Sequence, residues 1–273
     1  MENSKEMLIS VIVTTYNRPS TLDKVLDSLN DQTDTNFEII IADDGSTNET
    51  RELISKWKIK SDIPIVHAWQ EDLGFRAATS RNNGIRHAHG DYLIFIDGDC
   101  LLRSNFVEQH RLLMEGNFVV AGNRCLLSPE LSSQIENGKI SIKGWGWSDY
   151  FLARIMGKIN RLSALLIFSP KASFRYKSAN SWEKVRSCNM AVFKTDIDAV
   201  NGFDESFIGW GFEDSDLAVR LINFGLKVKR GSFATTVLHL YHPESVEDQT
   251  GPNWDRFQYV LKHRETQPRK GLI

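Results

Sequence analysis

Two carboxylates separated by one glycine, Asp97-Gly98-Asp99, close the apolar run Tyr92–Ile96. Acids at the end of a buried segment are costly unless something positive neutralises them. Oxygen ligands of this kind suit Mg2+ or Mn2+. Asp-Gly-Asp is also an ordinary turn composition, so the rest of the chain has to supply the context. It offers three more polar clusters, Thr14–Arg18, Asp43–Ser46 and Glu213–Asp216, and two histidines three apart, His239 and His242. An imidazole in the ligand set tilts the choice of cation towards Mn2+. On a strand, residues three apart face opposite sides, so one histidine is expected at the cation unless the strand ends between them. Glu213 and Asp214 open a helix, where the dipole favours acids for purely structural reasons. The same place suits a general base, with Trp210 beside it as a flat apolar face for a sugar ring.

The elements that position these clusters alternate. Leu8–Thr14, Phe37–Ala42, Ile63–His67 and Tyr92–Ile96 read as buried strands. Between them, Leu22, Val25, Leu26 and Leu29 mark one helix face, and Leu53, Ile54 and Trp57 another. Ser46 and Glu49 have the spacing of a capping box. Gly74–His89 reads as a helix ending at a Gly90 C-cap. This order predicts an α/β fold with a mostly parallel sheet and helices on both faces. Strand ends in such a sheet point to one edge, so the first three clusters should converge there. Ser10–Asn17 contains no glycine, which excludes a dinucleotide GxGxxG or a P-loop.

Further on, a helix over Phe106–Met114 and an apolar segment Phe118–Ala121 continue the pattern. Residues 128–181 read as irregular, with a helix only over Ala153–Leu166, and are expected to form a lid or substrate-binding insertion. A strand over Val185–Lys194, a helix from Leu217 to Gly225, strands near Lys227 and at Thr235–Leu240, and a helix over Trp254–Arg264 complete the chain. The expected organisation is a single domain, 1–273, in three stretches: 1–125 binding the donor, 126–182 inserted, and 183–273 holding acceptor and catalytic groups.

Of the 273 residues, 41% are hydrophobic and 25% charged, enough for a sizeable core. A net charge of −2 speaks against nucleic acid as a partner. Cys100, Cys125 and Cys188 form no CxxC pair, which argues against a disulfide framework or zinc site and for a reducing cytoplasm. No stretch is long enough to span a membrane, and the polar Met1–Glu6 lacks a signal-peptide core. The basic C-terminal stretch (Lys262, His263, Arg264, Arg269, Lys270) reads first as a solvated tail and second as a peripheral membrane contact on the inner face of the plasma membrane.

Together the clusters resemble the family-2 glycosyltransferases of the GT-A fold. The resemblance rests on Val11–Arg18, Ile41–Ser46, Arg81-Asn82-Asn83-Gly84-Ile85 and Asp97-Gly98-Asp99, which looks like that family's DxD motif. Gly209–Asp216 (Gly-Trp-Gly-Phe-Glu-Asp-Ser-Asp) is similar to the Trp-Gly-x-Glu-Asp-x-Asp box of β-1,4-galactosyltransferases and bacterial chondroitin-polymerase-type transferases. The resemblance implies a UDP-sugar donor. Thr14, Tyr16 and Arg18 would line the uridine pocket, Asp44 would bind the uracil edge, and Arg76 or Arg81 would approach base or diphosphate. Asp97 would contact ribose or donor sugar, and Gly98 would let the diphosphate approach the backbone. Asp99 with His239 or His242 would hold Mn2+ or Mg2+. Asp214 would be the base of a single, inverting displacement, and Trp210 and Glu213 would hold the acceptor, a glycan or lipid-linked hydroxyl of bacterial surface polysaccharide or lipopolysaccharide synthesis. Arg186, Cys188 and Asn189 are expected to border the donor sugar. The rivals are a sugar-nucleotide pyrophosphorylase, whose glycine-rich phosphate loop is missing here, and a non-catalytic sugar-binding domain, which would not need both Asp99 and Asp214.

Overall fold

The structure is a computed structural model that describes residues 6–177, 179–243 and 249–273. Met1–Lys5 of the polar N-terminus lie outside the described residues. In chain order the main elements are β1 (Ile9–Thr15), α1 (Pro19–Asn30), β2 (Phe37–Asp43), α2 (Asn48–Lys60), β3 (Ile65–Trp69), α3 (Ala77–His87), β4 (Tyr92–Asp97) and β5 (Cys100–Leu101). There follow α4 (Phe106–Leu113), β6 (Phe118–Ala121), β7 (Asn123–Leu126), α5 (Pro129–Glu136), α6 (Trp147–Ile155), β8 (Asn189–Phe193), α7 (Lys194–Ala199), α8 (Glu213–Phe224), β9 (Lys227–Arg230), β10 (Thr236–His239) and α9 (Pro252–His263).

Seven strands form the central sheet in the order β3-β2-β1-β4-β8-β6-β9. It is parallel except at β8, which runs antiparallel to both β4 and β6. Side-chain alternation divides the core between its faces. Ile9, Val11, Val13, Ile39, Ile41, Ile94 and Ile96 pack with the apolar face of α1. Ile12, Ile40, Leu93 and Phe95 pack with α3 and α8 on the other side. Since both faces are covered, these strands are apolar on both sides short of their carboxyl ends, except at Ser10 and Glu38, which bond each other at 2.6 Å. A small second sheet, β5-β10-β7, sits beside the end of β4. Its β10 pairs antiparallel with β5 through His239 and Cys100, which brings the histidine segment beside Asp99.

Local expectations fail in instructive places. Ser46 does not cap α2: its Oγ accepts from the Asn17 N–H at 2.9 Å, and Thr47 precedes the helix without a side-chain cap bond. The residue ties the ends of β1 and β2 together instead. The third helix begins at Ala77 rather than Gly74 and ends at an extended Ala88. Gly90 is needed for a close approach, because a Cβ there would stand 2.6 Å from the Ser10 nitrogen. Residues 128–181 are less irregular than their composition suggests. They hold α5, with Ser128 capping the Leu131 N–H at 3.2 Å, and α6. The helix expected over Ala153–Leu166 lies earlier, at Trp147–Ile155, followed by one 3-10 turn at Ser163–Leu165.

Candidate active site

At the carboxyl edge of β1 and β4, Thr14 is in register with Asp97. The chain turns there at Gly98, whose N–H donates to the Thr14 carbonyl at 2.8 Å. A Cβ on Gly98 would meet that carbonyl at 2.8 Å, so the glycine is required by the strand edge itself. Above this floor opens a cleft of about 570 Å³. Thr14, Tyr16, Arg18, Asp44, Arg81, Asp97, Gly98, Asp99, Trp210, Glu213, Asp214, His239 and His242 all line it, although they span more than two hundred positions of sequence. Arg76 does not. Its backbone N–H donates to Asp44 at 2.7 Å, while its guanidinium turns to the Glu71 carbonyl.

Asp99 sits between both histidines. Its Oδ1 is 3.5 Å from His239 Nε2, and its Oδ2 is 3.4 Å from His242 Nε2. Both imidazoles reach one carboxylate because β10 ends at His239, which frees the chain to turn before His242. Nδ1 of His242 lies 2.9 Å from the Pro243 carbonyl, which can only accept, so Nδ1 carries the proton. In the neutral ring Nε2 then presents a lone pair to a carboxylate oxygen, a contact that asks for a cation or a proton between them. Ligands of an octahedral cation at about 2.1 Å stand about 3 Å apart, close to the two Asp99–imidazole spacings. One carboxylate with two imidazoles is donor chemistry that suits a divalent metal of the Mn2+ type; the two rings meet different oxygens of Asp99 and stand 5.1 Å apart, centroid to centroid. Cys100 also lies within reach of Asp99 and His239. Burial, with Asp99 adding to it, holds its thiol well above the usual range. Arg18 adds positive charge, 3.3 Å from Asp99 and 3.0 Å from Glu136 of α5.

Buried Arg81 of α3 joins the two acidic motifs, with contacts of 2.9 Å to Glu213 and 3.3 Å to Asp97. Withdrawal from water raises both carboxyls above their ordinary range, and Arg81 opposes that shift in each. Arg81 thus orients Asp97 and Glu213, a role the sequence pattern did not suggest.

The approach to α8 is a run of left-handed backbone, with φ of 79° at Gly209, 110° at Gly211 and 69° at Phe212. For phenylalanine this is a strained conformation. It is held by ring stacking on Phe257, at a centroid distance of 5.3 Å, and by Trp254 at 5.1 Å. The bend aims the first turn of α8 at the cleft. Asp214 is held by the Ser187 N–H and by the Ser215 hydroxyl, each at 3.3 Å. Trp210 is 45% exposed at the rim, available to a ligand. The last acid of the box, Asp216, points the other way, into a fully buried pair with Arg220 at 2.8 Å. Its place in the motif is structural.

At the far end, Asp44 accepts from Gln70 at 2.5 Å and from the Arg76 N–H, and the Tyr16 hydroxyl donates to Asp72 at 3.0 Å. Asp43 lies outside the cleft, buried against His67 at 2.7 Å. Arg186 and Cys188 line the cleft. Asn189 does not; its amide bonds the Asn123 and Thr235 carbonyls. Phe75, Ala77, Arg124 and Ser187 also line it. None of these had a signal in the sequence; Arg124 reaches the cleft because its short strand pairs with the histidine strand, in register with Val237.

This architecture is that of the GT-A glycosyltransferases. The fold matches TarS of S. aureus at a TM-score of 0.60, with 16% identity over 94% of this chain and 39% of that one. It matches a mannosyltransferase of Pyrobaculum calidifontis, in complex with GDP-Man and Mn2+, at 0.57, with 17% identity over 94% of this chain and 64% of that one. The family model described as glycosyl transferase family 2 matches residues 10–181, and that of the N-terminal domain of galactosyltransferase matches residues 167–243. The chain belongs to glycosyl transferase family 2. It is 30% identical to validoxylamine A glucosyltransferase of Streptomyces hygroscopicus subsp. jinggangensis, across 96% of this chain and 62% of that protein. It is also 30% identical to hyaluronan synthase of Pasteurella multocida, across 86% of this chain and 24% of that protein. The chain thus spans from about a quarter to about three-fifths of the length of these relatives.

Proposed function

We propose that the chain transfers one sugar, with inversion, from a UDP-sugar to a hydroxyl of a glycan or lipid-linked acceptor. The observation that carries this is that one cleft is lined both by Asp99, His239 and His242 and by the Asp214 carboxylate. A P. calidifontis relative in fold is complexed with GDP-Man and Mn2+, and TarS with UDP-GlcNAc, which supports a nucleotide sugar as donor.

In this reading the Thr14–Arg18 edge and Asp44 take the nucleoside. A divalent cation bound by Asp99 and the two imidazoles would neutralise charge growing on the leaving phosphate. Arg18, Arg124 and Arg186 add positive charge around the same space. Asp214 accepts the proton of the acceptor hydroxyl as its oxygen attacks the anomeric carbon. The carbon–oxygen bond to the diphosphate breaks, and its electron pair leaves with UDP. Trp210 offers the acceptor ring a face. Asp97 and Glu213, fixed by Arg81, contact donor sugar and acceptor.

The test is UDP release from a panel of UDP-sugars, with Mn2+ and with chelator. Asp214→Asn should lower kcat by about 10²–10⁴-fold while the donor still binds. An unchanged rate in that variant would remove Asp214 from the role. Failure of any nucleotide sugar to bind in the presence of Mn2+ would overturn the whole assignment.

A further inference from the structure

Helix α6 breaks the usual rule for a surface helix, which turns a polar face to water. Its inner side is apolar, with Tyr150 and Ala153 buried. Its outer side is apolar as well. Trp147, Phe151, Leu152 and Ile155 are 50–67% exposed, and Met156 just beyond the helix is 57% exposed. At ~100° per residue, Trp147, Phe151 and Ile155 fall within one quadrant and Leu152 beside it, opposite the buried pair. Nothing among the described residues covers this ridge. Later in the same insertion Leu166, Ile167 and Phe168 are again 38–45% exposed.

Charge along this stretch of the chain is one-sided, although Asp27 and Asp31, at the end of α1, stand beside Lys143. In a chain with 35 acids, Asp149 is the only acid between Gly138 and Lys177. Its carboxylate is engaged at the start of the helix by the Gly146 N–H at 2.8 Å. Arg154, Lys158, Arg161 and Lys171 come from the same stretch, and Lys139 and Lys143 precede the helix. Among the described residues, only Lys143 of this set pairs with an acid, Asp31 at 2.7 Å. A tryptophan at one end, bulky apolar side chains along the exposed face and arginine or lysine on the flanks are the chemistry of a helix that lies in the headgroup region of an anionic bilayer. A protein partner for the ridge would not require that excess of cations.

We propose that α6 and its basic flanks dock this chain on an anionic membrane surface. The inference is independent of the reaction assigned above. For a lipid-linked acceptor it would bring the chain to the surface in which that acceptor diffuses.

The full chain would be floated with phosphatidylcholine vesicles with and without phosphatidylglycerol, at low and high salt, alongside light scattering of the free protein. Binding to the phosphatidylglycerol vesicles, weakened by salt, is expected. The Phe151→Ser/Leu152→Ser/Ile155→Ser variant should lose about tenfold or more in partitioning while keeping the wild-type far-UV spectrum and melting temperature. Arg154→Glu/Arg161→Glu should weaken binding and remove most of its salt dependence. No binding to anionic vesicles, or binding that the serine variant leaves intact, would overturn the proposal. So would a stable dimer that the serine variant dissolves, since the ridge would then belong to a second copy of the chain.

Discussion

The single side chain on which most of the cleft depends is Arg81. It is 4% exposed, and it faces two carboxylates from motifs more than a hundred residues apart. Removing one partner of a buried ion pair leaves uncompensated charge, a loss of about 3 kcal/mol. Arg81→Met should lower stability in urea by that order, tempered because the Asp97 side chain keeps 34% of its exposure. Adding Glu213→Gln to Arg81→Met should recover part of the loss, as coupling requires. Strict additivity of the two changes would show that the contact carries no energy. The metal donors lend themselves to a binding measurement that needs no substrate. Mn2+ that binds only the folded chain raises its melting temperature, by about 2.7 kcal/mol of stabilisation at a hundredfold excess over Kd. Asp99→Ala should abolish that shift, and His239→Ala and His242→Ala should each reduce it. If His242→Ala leaves the shift intact, the cation is held by Asp99 and His239 without it.

Among the elements, the β1–β4 edge is where sequence and structure meet most tightly. Gly98→Ala would drive a methyl group to 2.8 Å from the Thr14 carbonyl, a backbone atom that cannot turn aside. The strand edge would have to shift, at about 1–3 kcal/mol. Mn2+ affinity should fall more than stability does, because Asp99 follows directly. An alanine variant with wild-type Mn2+ affinity would mean that the edge tolerates the group. Strands and motif positions were legible because they depend on local pattern: Ile9–Val13, but for Ser10, and Tyr92–Ile96 are apolar on both faces, and Asp97–Asp99 ends its strand. Even there the glycine's reason was not legible, since it lies in a neighbouring strand. The same holds for Ser46 and Gly90, whose spacing imitates helix caps while their contacts are tertiary. Asp216 belongs to an acidic box by pattern and to the core by its pair with Arg220. Residues 128–181 read as irregular because α5 and α6 are short and α6 is apolar on two sides, which blurs the periodicity that would have announced them. The sequence also could not show Glu136 of α5 holding Arg18 and Thr21, at 3.0 and 2.7 Å.

For the molecule as a whole, His110, against the start of β8, links the fold to pH. It is fully buried, edge-on to Phe106 at 4.6 Å, and its Nε2 lies 3.3 Å from Asn189 Oδ1. An amide oxygen only accepts, so Nε2 carries the proton of a neutral ring. Burial pushes its pKa from 6.5 down to about 3, against a smaller opposing pull from the Asn189 contact. The unfolded chain takes up a proton as pH falls through 6.5, whereas the folded chain does so only near 3. Between those values the unfolded state binds more protons, so stability falls as the solution is acidified. Above 6.5 both states are neutral at this position and the residue adds no pH dependence. At pH 5 the loss relative to neutral pH is about 2 kcal/mol, from 1.36 kcal/mol per unit of pH below the unfolded value. His110→Gln keeps an N–H for Asn189 and removes the titration. Urea unfolding at pH 7 and pH 5 should therefore show wild type losing about 2 kcal/mol more than the variant. The lowered carboxyls of Asp204 and Glu205 also lose stabilisation as acid protonates them, but they are common to both proteins and cancel in the difference. Parallel losses in the two proteins would mean that His110 can be protonated inside the fold, and that the packing which isolates it from water opens readily.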